Sequence, residues 1–81
     1  MTHRRVLYTR ADCHLCADML AAARPIAARH GLDVTPVDID ADLDLARRYN
    51  LAIPVLELDG RELCRHFLDP EALERALAGR D

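Results

Sequence analysis

Val6-Leu7-Tyr8-Thr9-Arg10-Ala11-Asp12-Cys13-His14-Leu15-Cys16 is the stretch on which the architecture turns. Its first half is apolar and aromatic, and it stops at a polar bend, Arg10-Ala11-Asp12. Residues 4–9 are therefore predicted to form a short buried strand. From Cys13 to His30 the pattern turns helical, with Leu15, Met19, Ala22 and Ile26 stepping along one face. Pro25 falls inside this run and predicts a kink or an early stop, with Gly31 as the C-terminal cap.

Outward from this unit, residues 33–39 alternate and are β-branched, which predicts a second strand, and Pro36 places it at a sheet edge. Asp40 or Asp42 can cap a second helix through Tyr49, with Asn50 as its left-handed stop. Residues 53–58 form a third predicted strand, Asp59-Gly60 a two-residue hairpin turn, and residues 61–65 the returning fourth strand. A last helix opens at Asp69-Pro70, with Leu73, Ala76 and Leu77 facing inward and Gly79 closing it. The order is β-α-β-α-β-β-α. A helical crossover of about 20 residues makes the first two strands parallel, and the tight hairpin makes the last two antiparallel. The expected fold is α/β, a mixed four-stranded sheet with helices on both faces.

The 81 residues suit one domain, expected to span 1–81. Half of them are hydrophobic, many being alanine, and the aromatics are Tyr8, Tyr49 and Phe67. A net charge of −3 argues against a nucleic-acid partner, since phosphate binding requires a basic face. All eleven basic residues are arginine, which reads as a habit of composition. The apolar run at the start is too short for a signal peptide, and Met19–Ala23 falls far below the roughly 18 residues of a membrane span. The expected compartment is the reducing cytoplasm, with no membrane partner and a monomeric chain. Three cysteines cannot make a full structural disulfide framework, so a close pair there points to redox chemistry or metal binding.

Cys13-His14-Leu15-Cys16 lies where a strand passes into a helix. The unpaired N–H groups and the positive dipole end favour a thiolate at Cys13, the species that attacks disulfides. Cys16 is one helical turn further in, close enough to form a disulfide and better shielded, which suits a resolving role. His14 adds potential positive charge beside the pair, whereas Asp12 acts the other way. Ile53-Pro54 supports the same reading. A proline opening an inner strand removes a ladder donor, and a cis peptide is one explanation, a trans proline that merely starts the strand the other. Such a bend would leave the Ile53 backbone open to an extended peptide or tripeptide bearing the target sulfur.

These residues resemble a glutaredoxin, within the thioredoxin superfamily, over almost the whole chain. The resemblance rests on Tyr8-Thr9-Arg10 before Cys13-x-x-Cys16, on Ile53-Pro54-Val55 before a hairpin, and on the final capped helix. It implies a thioredoxin-like fold, a cis Pro54, and a glutathione carboxylate contact at Arg10, three residues before the nucleophile. The chain departs from the pattern in two places. His14-Leu15 replaces the usual Pro-Tyr, and Cys64-Arg65-His66-Phe67 replaces the Gly-Gly and paired-Asp segment that grips glutathione. Arg65 could still meet a carboxylate. The chain looks most like the short bacterial glutaredoxin-like proteins.

The expected activity is thiol–disulfide exchange by Cys13 and Cys16 on a disulfide-bearing protein or glutathione. Arg10, His14, Ile53, Pro54 and Arg65 are the expected substrate contacts. No bound cofactor or metal is expected, and glutathione or a flavin-dependent reductase would reset the pair. The competing reading is a binding module without turnover, or a zinc site built from Cys13, Cys16, Cys64 and His66. Cys64 is otherwise a small hydrophobe facing the core opposite Val55, or an auxiliary thiol. An iron–sulfur cluster shared between two chains is a further alternative. His3 and His30 are expected at the surface.

Overall fold

A computed structural model describes residues 4–79; His3 and the chain ends lie outside the described residues. The elements are β1 (Arg5–Thr9), α1 (His14–Ala28), β2 (Thr35–Asp38), α2 (Leu43–Tyr49), β3 (Val55–Leu58), β4 (Arg61–Arg65) and α3 (Pro70–Ala78), with a 3-10 turn, Ile39–Ala41, before α2. The sheet order is β2-β1-β3-β4. β1 and β2 run parallel, and β3 is antiparallel to both β1 and β4. Pro36 sits in the edge strand, whose outer side needs no ladder donor.

The pleat sorts the core into two layers. Leu7, Leu56 and Leu58 point to the face covered by α1 and α3, against Met19, Ala23, Ile26, Ala27, Leu73 and Leu77. Val55 points to the other face, with Ile39, Tyr49 and Ala52 from the 3-10 turn, α2 and the segment after it. Tyr8 joins this second layer and stacks on Tyr49 with ring centroids 4.3 Å apart.

Local chemistry sets the helix ends. Asp42 caps α2 by accepting from the N–H groups of Asp44 and Leu45, and Asp69 caps α3 by accepting from Ala72 N–H. Pro70 opens α3, where its missing donor costs nothing. After α1, Leu32 N–H donates to Ala27 O and Gly31 N–H to Ala28 O, with Gly31 at φ 73°. Asp59 and Gly60 both have positive φ, as a twist-matched two-residue hairpin requires.

Four expectations are corrected. Helix α1 does not stop at Pro25 but continues to Ala28; Pro25 and Ala21 lie on the exposed side, where the carbonyl left without a helical partner is open to solvent. Its buried stripe is Cys16, Met19, Ala23, Ile26 and Ala27, whereas Leu15 and Ala22 are exposed. Small residues let the helix approach the sheet closely, so Ala and Cys take places that side-chain size alone assigns to Leu. Asn50 has φ −50°, in the right-handed region, and the chain leaves α2 through Ala52 N–H and Ile53 N–H donating to Tyr49 O. Finally, a bulge on β4, opposite the Leu56–Glu57 step of β3, pairs Cys64 with Leu56 and Arg65 with Val55. The extra residue, Leu63, moves Cys64 one place from its expected position opposite Val55 and onto the α1–α3 layer.

Candidate redox site

The strand register gathers the candidate residues at one end of the sheet. Tyr8 pairs with Val55, and Val55 with Arg65. The segments just beyond these residues, Thr9–Arg10, Ile53–Pro54 and Arg65–His66, therefore lie side by side. The parallel pairing of Thr9 with Asp38 brings the 3-10 turn to the same end. His66 N–H donates to Pro54 O at 2.8 Å, which ties the end of β4 to the turn before β3. The Ile53–Pro54 peptide is cis, as the resemblance implies.

Between β1 and α1 the chain reverses at Asp12, which adopts φ 63°, a left-handed conformation that a short polar side chain tolerates. Cys13 N–H donates to Arg10 O across this bend. Cys13 then becomes the N-cap of α1, and its sulfur accepts from Cys16 N–H at 3.2 Å. Its sulfur thus stands among the unpaired donors and positive dipole of the helix start, where negative charge is favoured. Cys13 and Cys16 are joined as a disulfide with Cα atoms 5.2 Å apart, inside the ordinary range. Cys13 is half-buried and Cys16 only 1% exposed, so the pair is asymmetric.

Arg10, Asp12, Cys13, His14 and Cys16 line one open concavity with Thr9, Ala17 and Leu20. Arg10 is not an open cation there. Its Nε and Nη2 groups donate to the two Asp40 carboxylate oxygens at 2.8 and 3.0 Å. Arg65 is held the same way by Glu62, at 2.7 and 2.6 Å. His14 is exposed and stands 3.4 Å from Asp18, one turn along the helix. Leu15, 42% exposed, lies between the two cysteines in sequence and lines a second shallow pocket with Phe67, 72% exposed.

Cys64 packs against the α1–α3 core, and burial pushes its thiol above the ordinary range. Among the described residues no group of three or more His, Cys, Asp or Glu side chains is placed to hold a metal ion. His30, expected at the surface, is half-buried and pairs with Glu74, which also accepts from Arg29 at 2.7 Å, so the C-terminal end of α1 is clasped to the middle of α3.

Asp40 and Glu62 were not among the expected site residues. Their signal was the run of acids at 38, 40, 42 and 44 and the Glu62–Arg65 spacing, but only the β1–β2 register selects which acid of the run meets Arg10.

The family model for the glutaredoxin-like domain (DUF836) matches residues 5–78. The chain belongs to this family. Its glutaredoxin-like fold matches the solution NMR structure of protein Ne2328 from Nitrosomonas europaea, with 32% identity, TM-score 0.79, and 94% of this chain and 92% of that one covered. An X-ray structure of a structural-genomics target protein from X. campestris is 36% identical with TM-score 0.71, covering 95% and 99% of the two chains. Thioredoxin 1 from the thermophilic eubacterium Thermosipho africanus shares the fold at 19% identity and TM-score 0.63, over 93% and 94%. A glutaredoxin-like domain with a cysteine pair at disulfide distance at the start of its first helix is suited to redox chemistry. No helix among the described residues is long and apolar enough to cross a membrane.

Proposed function

We propose that the chain is a thiol–disulfide oxidoreductase with Cys13 as nucleophile and Cys16 as resolving thiol. The carrying observation is the placement of the Cys13 sulfur as the cap of α1, with Cys16 buried directly behind it. The Cys13 thiolate attacks a substrate disulfide. One sulfur leaves as a thiolate and takes up a proton, while the other forms a mixed disulfide with Cys13. Cys16 then loses its proton and attacks the Cys13 sulfur, expelling the second substrate thiolate and leaving the Cys13–Cys16 disulfide. Two electrons pass from the pair to the substrate, and two thiols of glutathione, or a flavin-dependent reductase, return them.

Arg10, His14, Ile53, Pro54 and Arg65 are the proposed substrate contacts. The exposed apolar surface of Leu15, between the two cysteines in sequence, and of Phe67, which shares a pocket with Leu15, favours a disulfide carried on a protein. The proposed setting is the cytoplasm, with a monomeric chain and no nucleic-acid or membrane partner.

Titration of the pair in glutathione buffers, followed by mass spectrometry, tests this reading. Reversible interconversion of the dithiol and the Cys13–Cys16 disulfide is expected. Cys13→Ser abolishes exchange with a disulfide substrate, and Cys16→Ser accumulates the mixed disulfide at Cys13. Full activity in Cys13→Ser would overturn the assignment of roles.

A further inference from the structure

Arg10 lines the concavity with Cys13 and Cys16 and is its permanently charged cation, the group there that a carboxylate on an incoming disulfide would pair with. That guanidinium already holds a carboxylate in bidentate geometry, from Asp40. The arrangement is imposed by the backbone. Thr9 pairs with Asp38, Asp38 Oδ1 accepts from Asp40 N–H at 2.9 Å, and the 3-10 turn then carries the Asp40 side chain to Arg10. At the same end of the sheet Arg65 is neutralised by Glu62, and Asp12 adds a carboxylate to the wall of the concavity.

Resting on the redox reading above, we propose that Asp40 is a specificity-determining residue, holding Arg10 so that the pair favours neutral or cationic disulfides over small carboxylate-bearing ones. An internal carboxylate that occupies the fork of the arginine acts against a competing carboxylate by prior occupancy and by charge repulsion. The pair is exposed on both sides, with Arg10 33% and Asp40 50% accessible, so its effect is a bias that a competing carboxylate can still overcome. Exposed ion pairs shift equilibria by up to about fivefold.

The test measures single-turnover oxidation of the reduced chain by oxidised glutathione, which bears carboxylates, and by bis(2-hydroxyethyl) disulfide, which is neutral. Wild type is compared with Asp40→Asn and with the double variant Asp40→Asn/Arg10→Gln. The ratio of the glutathione rate to the neutral rate is expected to rise about two- to fivefold in Asp40→Asn. The rise is expected to shrink in high salt and to disappear in the double variant. A structural role for Asp40 alone would not make the gain depend on Arg10. An unchanged ratio in Asp40→Asn, or a gain that persists without Arg10, would overturn the inference. Failure of wild type to be oxidised by either disulfide would instead overturn the redox reading on which it rests.

Discussion

Tyr49 links the stability of the domain to the geometry of its site, and removing its hydroxyl has a calculable cost. The residue is 6% exposed, and its hydroxyl donates to Glu57 Oε2 at 2.6 Å. Its backbone carbonyl accepts from both Ala52 and Ile53, so Tyr49 also anchors the turn that leads into Pro54. A hydrogen bond to a charged acceptor contributes about 1.5–3 kcal/mol. The same environment ties stability to pH. Burial, and then the Glu57 hydrogen bond, push the Tyr49 phenol from 10.0 up to about 12. That rise corresponds to at most ~2.7 kcal/mol of stability lost as the phenol ionises, since burial penalises the phenolate and not the phenol. The hydrogen bond alone represents a large share of the ~4–12 kcal/mol expected for a domain of this length.

The sign follows from the direction of the rise. The folded value lies above the unfolded one, so this stability is fully present below pH 10 and is lost as the pH climbs through about 12. At pH 11, midway, about half of it, ~1.4 kcal/mol, is gone. Tyr49→Phe lacks the titration, so the difference between wild type and variant isolates it. Urea unfolding is expected to show Tyr49→Phe less stable by about 1.5–3 kcal/mol at neutral pH, with the gap roughly halved at pH 11. Absorbance at the phenolate band is expected to lose a late-titrating component in the variant. Equal stabilities at neutral pH, or a gap that does not change by pH 11, would refute the argument.

Leu73 is fully buried against the α1–α3 layer, and Leu73→Ala is expected to cost about 2–5 kcal/mol. Thermal unfolding should then fall by more than about 10 °C, and a shift of only a few degrees would show that the site closes around the smaller side chain. Glu74 has its carboxyl held below the ordinary 4.5 by Arg29 first and His30 second. Its contribution is present above that ordinary value and is lost as pH falls through the lower folded one. Glu74→Gln is therefore expected to lower the melting temperature near neutral pH but not in strong acid, where a persisting gap would contradict the assignment.

The elements, their order and the position of the cysteine pair were legible in the sequence. Each rests on chemistry local to a few residues: the period of Arg4–Thr9, the caps at Asp42 and Asp69, and the left-handed turn at Asp59–Gly60. The bulge at Leu63 was not legible, because nothing within residues 61–65 says that two residues oppose one, and that single slip decides which layer receives Cys64. The inward face of α1 was not legible for a related reason. How closely a helix packs on a sheet determines whether Leu15 or Cys16 turns inward, and the sequence pattern contains no such distance. Tertiary structure alone decided what Arg10 holds. Arg10 and Asp40 are thirty residues apart and meet only because β1 and β2 pair with Thr9 beside Asp38. Chain-local forces built the pair at Cys13 and Cys16. Long-range register set the charge that an incoming disulfide meets there.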